Sequence, residues 1–399
     1  MNAKVIGIGA AGNKAAITLI EKNVIKRNSV MLLNSTLKDI PENYRDIALQ
    51  FNNSVGMGGC GKERDLAKEL ALTSLQEGSL NLDGFLDPSD DTVIIVNSSE
   101  GGTGCGASVI LAKYFKEVLH ANVHLFVFTG FEDDGRGLQN TVEYFQEISE
   151  EYTVEAISNK KFLEESGNKL KAEKAANEAF AMRVKILLGH LIVDSEQNID
   201  ETDLYKLSTT PGFMMIDFAK LEKIKNREMF DKVLIDLIDN SKSLDISEPS
   251  AKRLGVIFNI SDKTADYIDF SANVLQDRLG FPYEYYHHIQ NEGDIEYIAF
   301  IASGMKMPMD EIKAVYDKYK EKSDKVNKKK DDFFGIVSEL RGNPEDSMFN
   351  MSTSSKTKKH VSESDKKSFF AEFSMQAPKE TGFKNTKRQQ SNKTSDSEF

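Results

Sequence analysis

The run Glu100-Gly101-Gly102-Thr103-Gly104-Cys105-Gly106 carries the densest chemical signal in the chain. It follows a β-branched apolar run, Thr92–Asn97, and leads into helical apolar spacing from Ala107 onward. A glycine-dense turn between strand and helix leaves backbone N–H groups uncovered at the positive end of a helix dipole, and that arrangement binds phosphates. Glycine lets the backbone approach such a ligand closely, and the Thr103 hydroxyl adds a hydrogen bond. Two further loops have the same character, Gly7-Ile8-Gly9-Ala10-Ala11-Gly12 and Gly56-Met57-Gly58-Gly59-Cys60-Gly61-Lys62. The first satisfies G-x-G-x-x-G, so a dinucleotide site is one reading. That fold expects an acid about twenty positions on, at the tip of the second strand. Here the second strand ends at Asn34-Ser35-Thr36, without a carboxylate. Three glycine loops suit a nucleoside triphosphate. An NAD(P)-dependent oxidoreductase is the remote alternative, and a tight turn without ligand is the plain one.

These loops need strands and helices to hold them. Strands are expected at Ala3–Ile8, Ser29–Leu33, Thr92–Asn97, Val123–Thr129 and Thr153–Ile157. Helices are expected at Ala11–Lys22, Lys62–Gln76, Gly106–Leu119, Leu138–Ile148 and, as one long element, from Lys161 to about Val193. Such alternation implies an α/β fold with a mostly parallel, Rossmann-like sheet. A smaller α+β unit follows. Pro211–Phe218 reads as a turn into a strand, Arg227–Ile238 as a helix, Leu254–Ile260 as a strand, Lys263–Leu279 as a helix and Ile295–Ala302 as a strand. Pro308 opens a last helix with Ile312, Val315, Tyr316 and Tyr319 on one face. The expected organisation is a nucleotide domain at 1–165, a central helix at 166–195, a second α+β domain at 196–325 and a disordered tail at 326–399.

Composition supports a soluble globular protein: 399 residues, 40% hydrophobic, with no apolar run approaching the roughly 20 residues of a membrane span. No secretory signal is expected, because Met1–Val5 leads straight into a strand pattern. Cys60 and Cys105 are too few for a disulfide scaffold or a zinc site, so free thiols in a reducing cytoplasm are expected. His287-His288 reads as a loop or strand edge, and no metal ligand set is expected. Residues 326–399 hold 14 Lys+Arg against 11 Asp+Glu, a net +3, which leaves −15 on residues 1–325. An acidic body argues against broad nucleic-acid binding. The tail carries two phenylalanine islands, Phe333–Val337 and Phe369–Phe373, read either as residual helix or as contacts for an adaptor protein or other partner.

The ordered motifs resemble the tubulin/FtsZ superfamily of polymerising GTPases over roughly residues 1–325. They are G-x-G-x-x-G-N at 7–13, G-C-G-K-E-R at 59–64, G-G-T-G-x-G at 101–106, Thr129, Asp134-Gly135-Arg136, Asn159 and Asn177-Glu178-Ala179-Phe180. Gly59–Arg64, Thr210-Pro211-Gly212 and Phe300–Gly304 look most like the TubZ group of plasmid and phage tubulins. The resemblance implies a GTP site bound with Mg²⁺. Gly9, Ala10, Ala11, Gly12 and Asn13 would face the phosphates and sugar. Gly59, Cys60, Gly61 and Lys62 would lie near the γ-phosphate, and Gly101, Gly102, Thr103, Gly104 and Gly106 would wrap the α- and β-phosphates. Asp134 and Arg136 would contact the ribose, while Asn159 and Asn177 would read guanine, which needs both a donor and an acceptor. Glu100 stands where most members have a third glycine.

The same resemblance implies head-to-tail filaments in which one subunit's catalytic loop completes its neighbour's pocket, with a role in plasmid or phage DNA segregation. Pro211–Lys220 would be that loop, with Asp217 at the first acid of the family's N-x-D-x-x-D/E pattern, Met215 replacing its asparagine and Lys220 its second acid. Glu222 would substitute if the loop were shifted. A lysine at that place implies slow GTP turnover. A slowly or non-hydrolysing structural paralogue is therefore the alternative.

Overall fold

The computed structural model describes residues 2–51, 59–80, 82, 84–86, 92–148, 151–193 and 199–340, with side chains as far as Lys325. The chain divides into a compact unit, Met1–Ile336, and a second, Val337–Phe399. In the first unit the elements run β1 (Ala3–Ile8), α1 (Gly9–Glu21), β2 (Val30–Asn34), β3 (Ala48–Gln50), α2 (Arg64–Gln76), β4 (Thr92–Ser98) and α3 (Thr103–Glu117). They continue with β5 (Asn122–Thr129), α4 (Gly135–Ile148), β6 (Thr153–Ser158), α5 (Asn159–Ser166), α6 (Lys169–Leu187) and α7 (Glu201–Thr209). Then come β7 (Gly212–Lys220), α8 (Arg227–Asp239), β8 (Arg253–Asn259), α9 (Asp262–Ala265), α10 (Asn273–Leu279), β9 (Glu284–Gln290), β10 (Tyr297–Met305) and α11 (Met309–Leu340).

The ten described strands form one sheet, ordered β3-β2-β1-β4-β5-β6-β7-β10-β8-β9. Pairing is parallel from β3 through β7 and between β8 and β9, and antiparallel where β10 meets β7 and β8. The expected mostly parallel α/β sheet is what the chain forms, and the strands of the expected α+β unit join that same sheet as β7, β10, β8 and β9. Strands β4, β5 and β6 are buried on both faces, as their near-continuous apolar sequences require.

Helix α6 is the central strut. Its Phe180 is fully buried, edge-on to Phe126 and Phe128 of β5. Burying such a side chain contributes about 1.5–3 kcal/mol. One turn later, Arg183 bridges β6 and β7: its Nε lies 3.0 Å from Glu155 Oε1 and its Nη2 3.4 Å from Asp217 Oδ2. The direct β6–β7 register spans only Thr153–Glu155 against Gly212–Met214, so this arginine–carboxyl triad reinforces one of the two shortest joints in the sheet.

Several elements differ from their sequence signals. The long helix expected from Lys161 to about Val193 is two helices. Gly167 closes α5 at φ 63°, and the Asn168 side chain accepts from Lys171 N to start α6. The helix expected at Lys263–Leu279 also breaks, into α9 and α10, with Ala272 at φ 48°. Helix α7 and strand β3 carry no expectation, and β9 takes in His287-His288, read from sequence as a loop or strand edge. Residues 326–340, expected in the disordered tail, continue α11 and take in the island at Phe333–Val337. The rest of the tail and the second island lie outside the described residues, as do Gly56, Met57 and Gly58. None of the described helices is long and apolar enough to cross a membrane.

Candidate functional site: a glycine-walled cavity and its neighbour

Strands β1 and β4 are parallel neighbours, so the helices that follow them begin at the same edge of the sheet. Helix α1 starts at Gly9 directly after β1, and α3 starts at Thr103 behind Gly102. The positive ends of two helix dipoles thus converge. Between them and the loop before α2 lies a cavity of about 260 Å³. Gly9, Ala10, Ala11, Gly59, Cys60, Gly61, Gly101, Gly102, Thr103 and Gly104 all line it, as the motifs led one to expect. Geometry requires glycine at several of these positions. Gly9 has φ 73°, and a Cβ there would come 2.9 Å from Gly104 N; a Cβ on Gly102 would come 3.0 Å from both Lys62 N and Glu63 N.

Residues without a glycine signal complete the wall. Asn34, Ser35 and Asp39 line the same cavity, and Ser35 Oγ lies 2.9 Å from Thr103 Oγ1. Fully buried Asn140, on α4, donates from Nδ2 to the carbonyls of Lys62 at 2.9 Å and Glu100 at 3.3 Å, tying two glycine loops together. Asp39 also borders a second cavity of about 650 Å³, which Asn13 and Asn177 line from α1 and α6. Asn13 Nδ2 donates to Leu33 O, while its buried Oδ1 has no protein partner. The two cavities adjoin at Asp39, a polyanion cradle beside a slot with amide side chains.

Other residues named from the motifs line neither cavity. Gly12 packs on β4, where a Cβ would come 2.1 Å from Val96 O, and Gly106 packs against α2, 2.1 Å from Arg64 O. Asn159 begins α5, buried, its Oδ1 without a partner. Lys62 pairs with Asp134, and Arg136 with Glu63 at 3.0 Å. The Glu100 side chain turns away from the glycine cavity and accepts from Glu132 N at 3.3 Å; burial pushes its carboxyl above the ordinary value. It meets Asp133 and Asp134 with carboxylate oxygens within 4.8 Å of one another, but Lys169 and Lys62 already pair with those two acids.

Residues 212–220, expected to form the catalytic loop, are β7, an interior strand between β6 and β10. Asp217 stands opposite Phe300 in the ladder, and its Oδ2 accepts from Ser241 Oγ at 2.8 Å and sits beside Arg183. Met215 is buried, and Lys220 is exposed at the strand's end. A full N-x-D-x-x-D lies earlier, at Asn198-Ile199-Asp200-Glu201-Thr202-Asp203; Asn198 is outside the described residues. Asp200 caps α7 by accepting from Asp203 N at 2.8 Å, and Asp203 Oδ2 accepts in return from Asp200 N. Asp200 and Glu201 are exposed. The Tyr205 hydroxyl accepts from Asn122 at the start of β5, which puts α7 at the sheet edge opposite the glycine loops. The asparagine-and-acid spacing at 198–203 is the sequence signal for this site, and Pro211–Lys220 lacks it.

No protein-family model matches the chain. The cell division protein FtsZ of Mycoplasmopsis pulmonis is 25% identical over 316 residues, covering 76% of this chain and 77% of that one. A GTPγS-bound protofilament of CetZ2 from Haloferax volcanii superposes with a TM-score of 0.66 at 18% identity, covering 82% of this chain and all of that one. A GTPγS-form protofilament of TubZ from Bacillus thuringiensis serovar israelensis gives 0.68 at 16% identity, covering 82% and 94%. With the glycine motifs in order around one cavity, the chain has the tubulin-like fold and is similar in sequence to the FtsZ and CetZ members of the tubulin/FtsZ superfamily.

Proposed function

We propose that this protein binds Mg·GTP across the two adjoining cavities and assembles head to tail, each subunit presenting Asp200 and Asp203 to its neighbour's γ-phosphate. The observation that carries this reading is the placement at opposite sheet edges. The glycine cradle opens at one edge, and the exposed acids of α7 stand at the other, so neither can complete a site without a second copy. Asn177 and Asn13 supply amide groups to the base and sugar side, and the helix N-termini hold the phosphates. Mg²⁺ would neutralise phosphate charge, and Asp39, the carboxylate among the residues lining the glycine cavity, would be its protein ligand, directly or through water. Water held by Asp200 and Asp203 attacks the γ-phosphorus, the bond to the β–γ bridging oxygen breaks, and GDP and phosphate result. The protofilament relatives bound to GTPγS support self-association with nucleotide. A TubZ-like role, a cytoplasmic filament moving plasmid or phage DNA, is the finer form of the proposal.

Lys220 loses its bearing on turnover once it sits at a strand end, and the slow-turnover expectation loses its basis with it. Asp200→Asn and Asp203→Asn keep the helix cap, since asparagine also caps. Steady-state GTPase above the assembly threshold should fall by about 10²–10⁴ in each, with GTP affinity unchanged. Lys220→Asp should leave the rate alone. Wild-type turnover in both α7 variants would refute the assignment.

A further inference from the structure

Phe281 and Tyr283 are 83% and 92% exposed, the two most exposed large apolar side chains among the described residues. They flank buried Pro282 in the turn from α10 into β9. The turn is pinned: Tyr283 N donates to Lys252 O at 2.8 Å, and Gly280 N to Gln276 O at 2.9 Å. Single exposed apolar residues need no explanation, but a fixed pair of aromatics is a preorganised docking element.

Register locates this turn. β9 starts level with β8 at Arg253–Glu284, β8 starts level with the end of β10, and β10 ends against the start of β7, which starts level with β6. The aromatic turn therefore lies at the edge opposite the C-terminal ends of β5 and β6. At those ends, marked by Thr129 and Ser158, is a third cavity of about 300 Å³, whose lining sets four apolar side chains, Leu138, Leu244, Ile312 and Val315, among eight charged ones. That volume is at the small end of ligand pockets and suits one aromatic side chain.

We propose that the Phe281–Tyr283 turn of one copy seats in the Leu138/Leu244/Ile312/Val315 cavity of the next, a knob-and-hole contact that sets the head-to-tail repeat. Because knob and hole lie on different surfaces of one chain, the contact is heterologous and propagates rather than closes. It rests on the head-to-tail reading above and adds its docking residues. A second copy is the occupant because the cavity opens at the edge that carries the glycine loops, the same edge the acids of α7 must approach, and because two relatives form protofilaments.

The test is the full chain carrying Phe281→Ala and Tyr283→Ala together, followed by GTP titration and sedimentation of assembled protein. Truncating two exposed side chains leaves the core intact, so GTP affinity should match wild type while the assembly threshold rises at least tenfold. In a second arm, Phe281→Cys and Val315→Cys proteins are mixed under mild oxidation with GTP. An intermolecular disulfide should form only in the mixture, since Cys60 and Cys105 are buried. Assembly of the double variant at the wild-type threshold would overturn the proposal and leave head-to-tail assembly standing. Lost assembly without the cross-link would overturn the pairing with this cavity. Failure of the wild type itself to assemble would overturn both readings.

Discussion

At the scale of the residue, glycines that look alike in sequence do different work. A Cβ on Gly101 would meet nothing within 4 Å, whereas one on Gly104 would come 2.9 Å from Ile8 O at the end of β1. Gly101→Val should therefore cost the chain its ligand and little else: GTP affinity down at least about 100-fold, with the melting temperature unchanged. Gly104→Val should lower both, because branched methyls there push against backbone. Titration and thermal melting of the pair separate the roles; a Gly101 variant that binds normally would remove that loop from the site. The glycines were legible in the sequence because close backbone approach restricts the residue type. Asp39, Ser35 and Asn140 were not, since one polar residue in a loop or helix carries no periodicity and its value depends on which elements fold beside it.

At the scale of the element, the strands of the first half were readable from apolar runs because burial on both faces demands them. The joint between halves was not. The family resemblance put Asp217 in the catalytic loop, but β7 places it beside Arg183, in the same triad as buried Glu155. Glu155 is fully buried, and burial pushes its carboxyl up to about 8, opposed by Arg183 and aided by the charge of Asp217. The sign follows from linkage. Below the ordinary carboxylate range both folded and unfolded chains hold the proton. From there up to about pH 8 the unfolded chain releases it while the folded chain retains it, so stability falls as pH rises through that window. Glu155→Gln keeps the neutral form at every pH. Its melting temperature should meet the wild type's near pH 5 and exceed it by about 3 °C or more at pH 8, a difference on the order of 1 kcal/mol. A variant that melts lower than wild type at pH 8 would mean Glu155 is ionised and held by Arg183.

At the scale of the whole molecule, charge and connectivity make a division that the sheet does not. Residues 1–340 are net −15 and residues 341–399 net +3. Every described residue lining the three cavities lies at or before Lys318. A chain ending at Leu340 should bind GTP and assemble with thresholds within about twofold of the full protein in moderate salt. Copies stacked head to tail bring like charges together, and that repulsion reaches about 10 Å at 0.1 M salt and about 30 Å at 0.01 M. Lowering salt should therefore raise the assembly threshold, and more steeply for the shortened chain, which lacks the offsetting basic residues. Sedimentation of both chains across a salt series measures this directly. If the shortened chain loses GTP binding, the second unit belongs to the fold; if its salt slope equals the full chain's, the basic residues act on some other partner than the filament's own acidic surface.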